Sequence, residues 1–326
     1  MKNFIKNKEI LITGGTGSLG QTLTKLLLKE YKPKGIRIYS RDELKQWQMR
    51  QEINNLFPDA PIAYLIGDIR DAIRLHRAMR GVDMVIHTGA LKQVTACEDN
   101  PIEAIKTNID GAKNVLNIAI DCSVEKVMNV STDKAVFPIN LYGATKMAAE
   151  KLFIHGNIYT GGHKTKISCC RYGNVLASRG SVAHVFQEQI KQGKTITVAH
   201  PDATRFFITL PAVARFLLSR ISDMQGGEIF VPLMKSINIF EMALAMGAKG
   251  KDIKIIGLAS GEKLHEILYN ENEFAYLINK QYYQVYHIPK TGYLRFYAGK
   301  GNLESNNNPQ GFLTRKELLE MMEDKI

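Results

Sequence analysis

The sequence predicts an α/β fold: a doubly wound parallel sheet with helices on both faces, followed by a smaller, irregular C-terminal part. Three observations carry this expectation. Short apolar runs alternate with amphipathic stretches through the first half of the chain, a glycine cluster follows the first apolar run, and the alternation breaks down after about residue 175. Strands are expected at residues 9–13, 36–40, 63–67, 84–87, 126–131 and 166–171, each short and rich in Ile, Val, Leu or Met. Between them lie helical patterns, such as 22–29 with Leu23, Leu26 and Leu27 on one face, and 104–118 with Ile105, Ile109, Ala112, Val115 and Leu116. Beyond residue 175, single strands at 195–198, 228–231 and 254–256 are separated by loops and helices, and a loop at 300–309 precedes a last helix at 314–322. The expected division is a nucleotide domain over 1–175 with a return segment around 203–225, and a substrate part made of 176–202 and 226–326.

Composition removes several classes. The chain has 326 residues, 45% hydrophobic and 23% charged, close to ordinary globular usage and far from disordered or fibrous proteins. Cys97, Cys122, Cys169 and Cys170 form no CxxC or His/Cys spacing, so reduced thiols, no metal site and a cytoplasmic location are expected. No run of about 18 apolar residues occurs, and the basic N-terminus leads into a strand, so neither a membrane span nor a signal peptide is expected. The balance of 43 basic against 32 acidic residues gives a net charge of +11. In residues 1–50, eleven basic residues face four acids, most of them standing singly between apolar residues as on solvated faces.

The first strand runs directly into Thr13-Gly14-Gly15-Thr16-Gly17-Ser18-Leu19-Gly20 and then a helix. Glycines let the backbone turn and approach a pyrophosphate, while the free N–H groups of the helix start attract its charge. Both GxGxxG (Gly15, Gly17, Gly20) and GxxGxxG (Gly14, Gly17, Gly20) fit. This is the signature of a Rossmann-type dinucleotide site. The second strand ends Ser40-Arg41 with Lys45 nearby, where an acid would suit an NAD ribose, so the expectation is NADP; Asp42 and Glu43 follow directly and pull the other way. Asp68, at the end of the third strand with Ile69, could accept from an adenine amino group or could cap a turn.

The fifth strand delivers Thr132-Asp133-Lys134, and Tyr142 and Lys146 follow on one helix face four residues apart. An ammonium beside a phenol favours the phenolate, so Tyr142 is expected to be a base tuned by Lys146. With the upstream hydroxyl of Thr132, the trio completes a redox site.

At these residues the chain resembles the extended short-chain dehydrogenase/reductase superfamily. More narrowly, it is similar to the inverting UDP-N-acetylglucosamine 4,6-dehydratases of pseudaminic acid biosynthesis and flagellin glycosylation. The carriers include the glycine loop, residues 40–45 (SRDELK), 90–94 (ALKQV), 107–109 (TNI), 131–135 (STDKA), 138–146 (PINLYGATK), 171–175 (RYGNV), 178–182 (SRGSV), 204–206 (TRF), 226–232 (GGEIFVP) and 261–266 (GEKLHE). The resemblance implies a tightly held NADP, used as oxidant and reductant in each turnover, with net loss of water. Tyr142 would take the proton of the 4-hydroxyl, Lys134 the proton of carbon 5, and Asp133 would protonate the departing 6-hydroxyl. Lys134 can do so only if burial or a cationic nicotinamide lowers its pKa. A lysine at this place goes with inversion in that family, and Tyr142 stands where membrane-anchored relatives carry methionine.

The resemblance also places Ala90, Lys92 and Tyr172 on the cofactor. It places Lys92, Asn174, Ser178, Arg179, Arg205 and Glu262 on a UDP-sugar substrate. Ala259-Ser260, His87-Thr88, Val136-Phe137 and His200 depart from the family pattern. A homo-oligomer is expected from the superfamily's habit of associating through helices, with no nucleic-acid or membrane partner. The alternatives are a retaining dehydratase or 4-epimerase of another nucleotide sugar, and a dinucleotide-sensing binding protein.

Overall fold

A computed structural model describes residues 2–176, 181–288 and 301–324. Its strands in chain order are β1 Glu9–Thr13, β2 Gly35–Ser40, β3 Ile62–Ile66, β4 Met84–His87, β5 Lys126–Thr132, β6 Lys166–Tyr172, β7 Asn174–Leu176, β8 Ile196–Val198, β9 Thr204–Thr209, β10 Ile229–Pro232, β11 Lys235–Asn238, β12 Ile253–Ile255, β13 Phe274–Ile278 and β14 Tyr282–Tyr286. All six strands expected in the first half are present, within a residue at each end. The main sheet has nine strands in the order β13-β14-β10-β6-β5-β4-β1-β2-β3. Strands β1 to β6, β10 and β13 run in one direction, and β14 alone runs against its two neighbours. The central strands are buried along nearly their whole length, as a sheet covered by helices on both faces requires.

The strand order reverses between β1 and β4, and the glycine loop leaves the carboxyl end of β1 at that crevice. Ligands of open α/β sheets bind at such a switch point.

The expected division of the chain differs from the sheet in one respect. Residues 229–232 and 274–286, placed by sequence in the C-terminal part, add three strands to the edge of the main sheet. The hairpin was not anticipated because its turn carries neither an Asn-Gly nor an Asp-Gly pair. Asn279 and Lys280 supply the positive φ angles instead. The smaller part is built on the sheets β11-β9-β7 and β12-β8, with its own core of Leu176, Phe186, Val198, Phe207, Met242 and Leu318. Two helical patterns also deviate: Ser18–Leu26 continues into a wider π-helical turn at Leu27–Tyr31, and a similar turn at Lys106–Asp110 interrupts the expected 104–118 helix.

Arg171, at the end of β6, is 1% exposed. Its guanidinium donates to both carboxylates, Glu150 on the helix Leu141–His155 and Glu273 before β13, and to the Leu268 carbonyl at 2.7 Å. A buried charge persists only when so paired, and this one clasps the helix to the hairpin.

Candidate active site

A cavity of about 570 Å³ opens at the switch point. One wall is the glycine loop. Gly14 has φ +65°, and a Cβ there would lie 2.7 Å from the Cα of Gly89 after β4, so only glycine admits the two loops at this distance. Gly17, Thr16, Ser18 and Leu19 line the cavity, and Gly17 precedes the helix with an extended backbone that leaves the first-turn N–H groups free. Gly15 and Gly20 do not line it; a Cβ on Gly20 would lie 2.5 Å from the Gly15 carbonyl oxygen, so this pair lets the helix pack on its strand. Thr13 is buried beneath, its Oγ1 2.7 Å from His87 Nδ1.

The residues expected around the adenosine end lie apart from the cavity, Lys45 excepted. Lys45 pairs with Asp42 at 2.8 Å, and Asp42 also caps the helix Glu43–Leu56. Ser40 Oγ accepts from Gln46. Arg41 is 3.7 Å from Asp68, whose carboxylate is held by Arg70 through its backbone N–H and guanidinium. These contacts fit the turn reading of Asp68. Ile69 is buried against Gly111.

Ala90 and Lys92 line the cavity from the loop after β4. Asn108 fixes that loop, accepting from the Leu91 N–H at 2.8 Å and donating to the Leu91 carbonyl at 3.0 Å, which accounts for the neighbouring ALKQV and TNI motifs. Tyr172 and Asn174 close the opposite wall. Ser178 and Arg179 lie outside the described residues, while their neighbour Ser181 reaches the cavity with a buried hydroxyl that finds no partner among the described residues.

The residues expected to be catalytic converge from the end of β5 and the helix Leu141–His155. Asn140 caps that helix by accepting from the Gly143 N–H and ties it to the 261 loop through the Gly261 carbonyl. Thr132, Lys134, Tyr142 and Lys146 all line the cavity. Thr132 Oγ1 donates to Asp133 Oδ1 at 2.9 Å. Burial pushes the Asp133 carboxyl up, against the pull of Lys134, and its Oδ2 has no partner among the described residues, an arrangement suited to a proton donor.

Two electrostatic expectations are corrected. Burial raises Tyr142 to about 12, and the charge of Lys134 and the Thr132 hydroxyl, not Lys146, oppose that rise. Lys146 Nζ instead donates to the Val130 carbonyl at 2.7 Å, and burial lowers its own pKa to about 8. Four-residue spacing places Tyr142 and Lys146 on one face, but the ammonium is drawn beneath the sheet end by a carbonyl. Lys134 is not lowered: burial acts in that direction, but Asp133 and Glu266 outweigh it and hold the ammonium above the ordinary lysine range.

Glu266 is the residue missed by sequence reasoning. It accepts from Lys134 Nζ at 2.7 Å. Its signal was its place in the GEKLHE run, four residues after Glu262. Arg205, expected on a diphosphate, is instead buried, donating to the Thr204 and Leu264 carbonyls and to Glu262 at 2.8 Å. The two expected substrate residues therefore meet each other outside the cavity lining.

Fold and site together define a dinucleotide-binding architecture of the short-chain dehydrogenase/reductase type. The chain belongs to the family described as polysaccharide biosynthesis protein, which matches residues 10–288. It is 49% identical over 267 residues to a UDP-N-acetylglucosamine 4,6-dehydratase (inverting) of Campylobacter jejuni, covering 82% of this chain and 78% of that one. It is also 43% identical over 276 residues to a UDP-glucose 4-epimerase of Rickettsia akari, covering 82% and 80%. Among solved structures, Pen from Bacillus thuringiensis superposes with a TM-score of 0.88 at 36% identity, over 98% of this chain and 99% of that one. DesIV, a dTDP-glucose 4,6-dehydratase from Streptomyces venezuelae solved with NAD and TYD, superposes at 0.69 with 21% identity and shares the fold. No helix among the described residues is long and apolar enough to cross a membrane.

Proposed function

We propose that this protein is an NADP-dependent lyase that dehydrates UDP-N-acetylglucosamine across carbons 4 to 6 with inversion at carbon 5. The product is a UDP-2-acetamido-2,6-dideoxy-L-arabino-hexos-4-ulose. The observation that carries the reading is the convergence of Thr132, Lys134 and Tyr142 on one cavity beside the glycine loop, with Asp133 buried directly behind Thr132 and Lys134. Identity of 49% to an inverting dehydratase supports the same reaction.

The close Gly14–Gly89 approach and the uncapped helix start after Gly17 fit a dinucleotide pyrophosphate. Thr16, Gly17, Ser18, Ala90, Lys92, Tyr142, Lys146 and Tyr172 would hold the cofactor, which when bound supplies reversible two-electron redox chemistry at the sugar. Arg41 and Lys45 support a 2′-phosphate and hence NADP, each being cationic and about half exposed, one just after β2 and the other in the first turn of the helix Glu43–Leu56. Tyr142, bonded to Thr132, takes the proton of the 4-hydroxyl once its pKa falls below its resting value. With carbon 4 at the ketone level, the carbon 5 proton is acidic and passes to Lys134. Asp133 gives its proton to the departing 6-hydroxyl, and Asn174, 3.4 Å from Lys134 Nζ, orients the sugar there.

Ser178, Arg179, Arg205 and Glu262 are proposed on the UDP portion, the last two after exchange of their mutual pair for the nucleotide. Free thiols at Cys97, Cys122, Cys169 and Cys170 support a cytoplasmic enzyme. Exposed Ile102, Ile105 and Met147 on neighbouring helices support a homo-oligomer. Supply of a pseudaminic acid pathway for flagellin is the corresponding role. Proton NMR of the protein with NADP and UDP-N-acetylglucosamine in deuterated water tests the reading. A 6-deoxy-4-keto sugar of L configuration, deuterated at carbon 5, is expected. An unchanged 6-hydroxymethyl group with inversion at carbon 4 identifies an epimerase, in line with the 43% identical relative, and overturns the dehydratase.

A further inference from the structure

Beside the cavity lies a buried acid that the scheme above does not use. Glu266 is 2% exposed, and its backbone is pinned on both sides by Ser305, which accepts from the Glu266 N–H through Oγ and donates its own N–H to the Glu266 carbonyl, each at 2.9 Å. Ser305 is itself held by Thr204. A backbone fixed so firmly aims the side chain. Oε1 accepts from Lys134 Nζ at 2.7 Å and lies 4.0 Å from Arg205 Nε; Oε2 is 3.9 Å from Lys263 Nζ and has no hydrogen-bond partner among the described residues.

Three cations thus surround one carboxylate, and they hold it ionised although burial opposes this. On its other side, Lys134 Nζ lies 3.3 Å from Asp133, whose carboxyl burial pushes the opposite way. One ammonium therefore bridges two buried carboxyls that their surroundings push in opposite directions, Asp133 up and Glu266 down. Lys134 is 23% exposed at the side chain and lines the cavity, so it is the member of the group that reaches substrate.

We propose that Glu266 is a positioning residue of the elimination step, which holds Lys134 Nζ aimed into the cavity toward carbon 5. This rests on the dehydratase reading. Lys134, having given one proton to solvent, removes the carbon 5 proton as the free amine, and the electron pair of that C–H bond becomes the second bond between carbons 5 and 6. The C6–O bond breaks with its pair on oxygen, and the Asp133 proton completes the departing water. Lys134 is left as ammonium and Asp133 as carboxylate, and passage of the ammonium proton across the 3.3 Å between them restores both.

The test compares Glu266→Gln and Glu266→Asp with wild type, using NMR-detected turnover of UDP-N-acetylglucosamine, exchange of the carbon 5 proton of the isolated 4-keto product in deuterated water, and thermal melting with NADP bound. Glutamine keeps the volume and can accept from Lys134 but carries no charge to hold the ammonium in place. The expected result is a kcat loss on the order of 100-fold with slowed carbon 5 exchange, while KM and melting temperature change little. Aspartate, which keeps the charge, should recover roughly tenfold of that loss. A Gln variant with kcat within threefold of wild type overturns the proposal, as does one that turns over slowly but exchanges carbon 5 at the wild-type rate. If the Gln variant fails to fold, the Asp variant decides alone: unaltered kcat and exchange overturn the proposal, and a selective loss of both with an unchanged melt supports it. A wild-type enzyme that forms no 6-deoxy product overturns the dehydratase reading itself, a result distinct from failure in the variants.

Discussion

His87 should make this protein sensitive to mild acid through one buried ring. The side chain is 3% exposed, stacked 5.6 Å from Phe153 and bonded to Thr13, and burial together with the charge of Lys146 lowers its pKa to about 3. In the unfolded chain it titrates near 6.5. Between these values the unfolded chain binds a proton that the folded chain refuses, so stability falls as pH drops below 6.5 and the loss is complete only near 3. At about 1.36 kcal/mol per pH unit, the full span from 6.5 to about 3 is worth roughly 5 kcal/mol, and the part lost by pH 5 about 2 kcal/mol. His87→Gln keeps a partner for Thr13 Oγ1 and removes the titration. Urea unfolding of both proteins from pH 7.5 to 4.5 isolates this contribution. The variant should cost stability at neutral pH, from lost stacking, and the gap to wild type should narrow by about 2 kcal/mol at pH 5. Parallel stability curves across that range would refute the assignment of a neutral, buried imidazole.

Three further expectations concern the cofactor loop and the catalytic loop. Gly14→Ala places a Cβ 2.7 Å from Gly89 Cα at φ +65°, so it should weaken cofactor affinity by at least tenfold in fluorescence titration while the protein still folds. Replacing Arg41 and Lys45 with Ala should cost more than tenfold in NADP affinity and little in NAD affinity; equal losses would remove the 2′-phosphate assignment. Phe137 has φ +43° and is 43% exposed, so its ring contributes little packing while its Cβ is strained. Phe137→Asn should therefore stabilise the protein by about 1 kcal/mol, read as a raised melting temperature; a lowered one would show that the ring packs against something it needs.

The nucleotide half was legible because its strands are buried on both faces and read as continuous apolar runs, each followed by turn residues. β1 and β4 were placed to the residue for that reason. The hairpin Phe274–Tyr286 was not, because its tyrosines and its turn of Asn279 and Lys280 carry no strong local signal; it is a strand pair only where β10 offers an open edge. The site divides along the same line. Thr132, Tyr142 and Lys146 are read from spacing within one strand and one helix, whereas Glu266 reaches Lys134 across more than a hundred residues of chain, through a loop fixed by Ser305. Lys134 and Arg205 stand out in the sequence through their motifs, but their partners, which decide what those charges do, are tertiary. The basic excess of the first fifty residues resolves in part into ion pairs, Lys8 with Glu125, Lys25 with Glu52 and Arg37 with Glu9.

The Arg171 clasp has a consequence for how the molecule opens. If the β13–β14 edge peeled away, Glu273 would leave, and Arg171, still paired with Glu150, would keep buried guanidinium N–H groups without their acceptor, so this edge frays less readily than exposed edges do. The hairpin, β6 and the helix bearing Tyr142 should then open as one cooperative unit, with backbone amides of 274–286 exchanging with solvent at the rate of the central strands.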